Sequence, residues 1–152
     1  MTLSVSSSAF AAGQSIPAKY SCKGQNISPA LAWTNAPAGT KSFALIMDDP
    51  DAPMGTWVHW VVFNIPATTS NLPEAVMAGA QLADGSLQGK NSSGKQGYDG
   101  PCPPSGTHRY FFKLYALDTS LNLSSDSGKE QLLKAMQGHI LAQGELMGTF
   151  SK

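Results

Sequence analysis

Three stretches of the chain are dominated by apolar residues at strand-like spacing. Ser42 to Met47 (Ser-Phe-Ala-Leu-Ile-Met) is almost uninterrupted, the pattern of a strand buried on both faces. Trp57 to Ile65 is rich in aromatic and β-branched residues, which suit a pleated surface. Arg109 to Leu117 is the third, and here period-two alternation sorts the side chains. His108, Tyr110, Phe112 and Leu114 fall on one face, Arg109, Phe111, Lys113 and Tyr115 on the other. The same rule puts Trp57, His59, Val61 and Phe63 on one face of the second strand. Shorter strands are predicted at Leu3 to Phe10, Leu31 to Trp33 and Leu146 to Phe150.

Turn signals separate these runs, among them Asn26-Ile27-Ser28-Pro29 and Ala36-Pro37-Ala38-Gly39. Short strands joined by Gly/Pro turns predict a mainly β protein, an antiparallel β-sandwich. One segment breaks the pattern. Leu132, Leu133, Met136 and Ile140 recur at helical spacing, with Ser127 as N-cap and Gly144 beyond the end. A further short turn of helix is predicted at Pro73-Glu74-Ala75-Val76. With no repeat and no linker, residues 1–152 read as a single domain.

Composition narrows the partners. Only 13% of the residues are charged, against about 25% in an ordinary soluble domain, and ten basic residues balance ten acidic ones. Such a chain offers no basic face for nucleic acid and no polybasic patch for anionic lipid. No apolar run approaches the roughly 20 residues that span a bilayer, so no membrane insertion is expected. The sequence reads as cytoplasmic. Cys22 and Cys102 are the only cysteines, and two unpaired thiols are the favoured reading, a single bridge the other.

The candidate chemistry lies in two segments. Asp48-Asp49-Pro50-Asp51-Ala52-Pro53 precedes Trp57-Val58-His59-Trp60, and Gly100-Pro101-Cys102-Pro103-Pro104 precedes His108-Arg109-Tyr110. Each sets a histidine near the start of an apolar strand, after a loop stiffened by proline. A carboxylate beside an imidazole orients it and favours its charged form. Two protonated histidines, a phenol and loop N–H groups would hold an anion such as phosphate. Arg109, the only arginine, is expected to pair with a carboxylate of the acidic loop as a structural support, or else to be solvated. A metal-dependent or phosphoester hydrolase using the same Asp/His pocket is the alternative, weakened by the lack of a nucleophile motif or close ligand spacing. The glycine-dense stretch from Ala83 to Thr107 is too long for an idle connection and is read as functional. Within it, Gly89-Lys90-Asn91-Ser92-Ser93-Gly94-Lys95 matches the spacing of a phosphate-binding loop, but Gln96 follows where Ser or Thr is needed and no helix can open. That match is attributed to chance.

Asp49-Pro50-Asp51-Ala52-Pro53 with His59-Trp60, and Gly100-Pro101-Cys102-Pro103-Pro104 with His108-Arg109-Tyr110-Phe111-Phe112, resemble the two signature regions of the phosphatidylethanolamine-binding protein family. The chain is most similar to the bacterial and archaeal branch, often labelled Raf kinase inhibitor-like. The resemblance implies a β-sandwich with a small anion pocket at one end for phosphate or phosphoethanolamine-like groups. It assigns the pocket to Asp49, Asp51, His59, Pro103, His108 and Tyr110, with the loop around Gly100 completing the wall. It further implies a binding or regulatory protein that is not an enzyme and needs no cofactor, acting on a protein partner such as a kinase or protease, with a homodimer as a compatible assembly.

Overall fold

β3 (Ser42–Asp49) is buried at every position because it has a strand on each side and an apolar layer on each face. The computed structural model describes residues 2–152. Around β3, the strands β4 (Trp57–Pro66), β6 (Leu87–Gln88), β7 (Thr107–Leu117) and β8 (Ile140–Ser151) complete an antiparallel sheet in the order β6-β4-β3-β7-β8. A smaller antiparallel sheet, β1 (Ser4–Ser6), β2 (Leu31–Thr34) and β5 (Asn71–Leu72), runs in the order β1-β2-β5. The protein is thus mainly β, an antiparallel sandwich with, among the described residues, one α-helix, α1 (Lys129–Met136).

Alternation along β3 feeds two separate cores. Leu45 and Met47 join Leu31, Trp33, Trp60, Phe112 and Leu146 between the sheets. Ala44 and Ile46 join Val61, Phe63, Leu132 and Met136 beneath α1 on the opposite face. On β7 the alternating residues His108, Tyr110, Phe112, Leu114 and Ala116 are buried, as is the terminal Leu117, while Arg109 is exposed.

Several expectations need correction. The helix stops at Met136, and Ile140 instead opens β8 with 42% of its surface exposed. Gly138, at φ 81°, turns the chain between them, so Ile140 matched the helical period by coincidence. The N-cap is Gly128 rather than Ser127. Gly128 has no side chain to contribute, and its N–H donates to Gln131 Oε1 at 3.0 Å. Residues 73–76 form no helix: Ala75 sits at φ 61°, and the N–H groups of Ala75 and Val76 donate to the carbonyl and hydroxyl of Ser28. β1 covers only part of the stretch from Leu3 to Phe10, whereas β8 is much longer than the strand predicted there. The expectation of two unpaired thiols also fails. Cys22 and Cys102 form a disulfide with Cα atoms 5.5 Å apart, because the loops carrying them converge at one end of the sandwich.

Candidate functional site

A β-bulge sets the first functional side chain. In the ladder between β3 and β4, Met47 pairs with Trp60 and Asp48 with Val58, which leaves His59 without a partner. The extra residue breaks the alternation. His59 therefore does not share a face with Val61 and Phe63, as strict alternation predicts; those two point toward α1. His59 turns to the other side, its ring 5.3 Å from that of Tyr110 in an edge-on contact. His108 stacks on the other side of Tyr110 at 6.4 Å.

Hydrogen bonds fix both imidazoles. His108 Nδ1 lies 2.6 Å from Asp49 Oδ2, and both side chains are almost fully buried. Asp49 Oδ1 accepts the backbone N–H of Asp51 at 2.8 Å, so both oxygens of that carboxylate are engaged. His59 Nδ1 lies 2.6 Å from the main-chain oxygen of Asp99. A carbonyl can only accept, so His59 Nδ1 carries the proton and Nε2 is the nitrogen left for a ligand. Burial pushes the His59 pKa down and outweighs the Asp99 carbonyl and the nearby carboxylates, which push it up. The expected pair of protonated histidines is therefore corrected for His59, whose lowered pKa leaves it neutral near pH 7. Burial, followed by the Asp49 charge, raises the Tyr110 pKa and keeps the phenol protonated.

The far wall comes from residues 91–104. Asn91 shapes its start: the side-chain oxygen accepts from the N–H groups of Ser93 and Lys95, and the amide donates to the carbonyls of His59 and Gly97. Gly100 N–H donates to Asn26 Oδ1 at 2.8 Å, and Tyr98 OH donates to the Tyr20 carbonyl at 2.6 Å. A Cβ on Gly100 would collide with the Tyr20 carbonyl and the Asn26 side chain, so only glycine permits this approach. The disulfide then holds Cys102 to Cys22, beside a hydrogen bond from Cys22 N–H to the Pro101 carbonyl.

These walls enclose an open cleft of about 670 Å³. Of the predicted residues, Asp49, His59, Gly100, Pro103, His108 and Tyr110 line it and Asp51 does not. Asp51 is taken by Arg109, whose Nε and Nη2 each donate to a separate carboxylate oxygen at 2.9 Å, and whose backbone N–H adds a third bond. The guanidinium holds the Asp51 carboxyl down to about 2. Asp51 and Arg109 brace the loop from outside the cleft.

Sequence reasoning missed Asp99, Ser92, Ser93, Trp57 and Asn26. Ser92 and Ser93 lie in the segment dismissed as a chance phosphate-loop match. The segment indeed opens no helix, but Lys90 and Gln96 pair across it and turn both serines toward the cleft. The length of the 83–107 connection was the one usable signal. Among the described residues, no three His, Cys, Asp or Glu side chains converge as metal ligands would.

A sequence profile described as Phosphatidylethanolamine-binding protein matches residues 6–151. The chain belongs to the phosphatidylethanolamine-binding protein family. It is 55% identical over 137 residues to a UPF0098 protein of Methanothermobacter thermautotrophicus, covering 90% of this chain and 91% of that one. It is 48% identical to a UPF0098 protein of Chlamydia muridarum, with 99% of each chain covered. Among solved structures, the phosphatidylethanolamine-binding protein homolog CT736 of Chlamydia trachomatis superposes with a TM-score of 0.91 at 46% identity, covering 99% of this chain and 98% of that one. YbcL of E. coli, described as a new member of the mammalian family, reaches the same TM-score at 34% identity over 100% and 99% of the two chains.

Proposed function

We propose that the cleft binds a phosphate or phosphoethanolamine-like group, and that the protein is a binder and regulator rather than an enzyme. The observation that carries the reading is the pair of imidazoles flanking Tyr110, each with Nδ1 engaged by the protein and Nε2 left free. A neutral imidazole offers Nε2 as an acceptor, so a phosphate must either bring a proton or bind as His59 takes one up. Desolvation is compensated once an anion sits beside the ring, which ties affinity to pH.

The chemistry of hydrolysis finds little support here. Cys102 is bound in the disulfide, and the Ser93 hydroxyl donates to the Asp99 carboxylate at 2.9 Å rather than to an imidazole base. A regulatory role fits the rim, where Met54 is 97% and Trp57 40% exposed; a docked kinase or protease would meet these apolar residues beside a filled or empty cleft. No described helix is long and apolar enough to cross a membrane. The disulfide favours an oxidising compartment over the cytoplasm read from the sequence, since such bridges persist mainly outside the reducing cytosol.

The test is an NMR titration with phosphoethanolamine, backed by calorimetry. Shifts confined to His59, His108, Tyr110 and the 99–104 wall are expected, with affinity falling as pH rises from about 5.5 to about 8. Absence of shifts at millimolar ligand rules the reading out, and pH-independent affinity rules out the histidine mechanism.

A further inference from the structure

Phosphate-binding clefts ordinarily carry lysine or arginine, and this one carries neither. Its lining residues with titratable side chains are Asp49, Asp99, His59, His108 and Tyr110. Asp49 is engaged in place by His108, whose Nδ1 lies 2.6 Å from Oδ2. The other loop acids are also engaged, Asp51 by Arg109 and Asp48 by Lys113 and Lys129. Asp99 differs. Its carboxylate accepts from the Ser93 hydroxyl at 2.9 Å and from the Asn26 amide at 3.5 Å, and among the described residues no cationic nitrogen lies within ion-pair distance of it.

An uncompensated carboxylate on the wall of a cleft repels a simple anion and attracts a cation held beside one. Asp99 is also anchored independently of its charge, because its main-chain oxygen, not its carboxylate, holds His59 Nδ1. The same residue therefore orients one imidazole through its backbone and presents a free negative charge through its side chain. We infer that Asp99 is the specificity-determining residue of the cleft, receiving the ammonium of a zwitterionic phosphate monoester and disfavouring phosphates that lack a cation. This inference rests on the phosphate reading above and adds to it which half of the ligand is selected, and by what.

The experiment compares two ligands of matched size, phosphoethanolamine and ethyl phosphate, on the wild-type protein and on Asp99→Asn. The ligands differ in phosphate ionisation, but that difference cancels when the preference of the variant is divided into that of the wild type. The wild type is expected to prefer phosphoethanolamine, and D99N to lose about fivefold of that preference, the scale of one partly exposed ion pair. Asparagine keeps the backbone carbonyl and a side-chain acceptor, and a proton still held on His59 Nδ1 in D99N, read from its imidazole signals at a pH where the ring is neutral, checks that the wall is intact. Equal preference in wild type and D99N overturns the role of Asp99 while leaving the phosphate site standing. Failure of both ligands to shift His59 or His108 in the wild type overturns the phosphate reading, and the inference with it.

Discussion

His59 is neutral for a structural reason, and that reason makes it a pH-sensitive residue even without ligand. Its folded pKa is lowered, chiefly by burial, while in the unfolded chain it titrates near about 6.5. Below that value the unfolded state takes up a proton that the folded state refuses, so stability falls as pH drops from about 6.5 and levels off below the folded pKa. Urea midpoints measured between about pH 7.5 and 5 are expected to show this fall, and His59→Gln to flatten it. A His59→Gln curve parallel to the wild type would show that the slope belongs to other groups. Asp51 responds in the same sense at lower pH: Arg109 holds its carboxyl down to about 2, so its contribution is lost as pH falls from about 3.9 toward 2. Arg109→Lys keeps a positive charge but loses the two-pronged contact. Carboxyl NMR of that variant is expected to show Asp51 titrating higher, toward the ordinary value of about 3.9.

At the scale of elements, the two faces of the large sheet have separate duties. The face toward α1 holds Val61, Phe63, Leu132 and Met136, while His59 and Tyr110 lie toward the other side, at the strand ends. Leu132→Ala is therefore expected to cost about 3 kcal/mol of stability by opening a cavity, with ligand affinity unchanged. Denaturation and calorimetry on that variant check both halves, and a parallel loss of affinity would show that the faces are coupled. The fully apolar run of β3 and the alternation of β7 were legible because each side chain's fate follows from strand geometry alone. The orientation of His59 was not. A bulge is a property of two paired strands, and nothing within Trp57 to Ile65 announces the skipped partner. The over-extended helix has a similar origin: Ile140 fits the period, but Gly138 had already turned the chain.

For the whole molecule, the cleft exists because segments distant in sequence meet at one end of the sandwich. The disulfide joins residues 80 apart in the chain, and Asn26 reaches Gly100 across a similar span. Replacing both cysteines with serine is expected to cost about 2–4 kcal/mol, since the closed loop is long. The same variant should weaken phosphoethanolamine binding, because Cys102 is itself part of the wall beside Pro103. Unfolding curves and ligand titrations under oxidising and reducing conditions test the two effects separately. Unchanged affinity would mean that the hydrogen bonds of Gly100 and Tyr98 suffice to hold the wall.

The sequence by itself determined the three central strands β4, β3 and β7 of the large sheet, the common face of His108 and Tyr110, and the two loops that carry the cleft. These are set by local pattern and by signature residues adjacent in the chain. Tertiary structure decided the rest: the turn of His59 toward Tyr110, the exclusion of Asp51, the pairing of Cys22 with Cys102 and the exposure of the Asp99 charge. Each depends on which partner a group finds across the fold. A carboxylate reads the same in sequence whether a guanidinium, an imidazole or nothing stands opposite it, and only the folded chain supplies that neighbour.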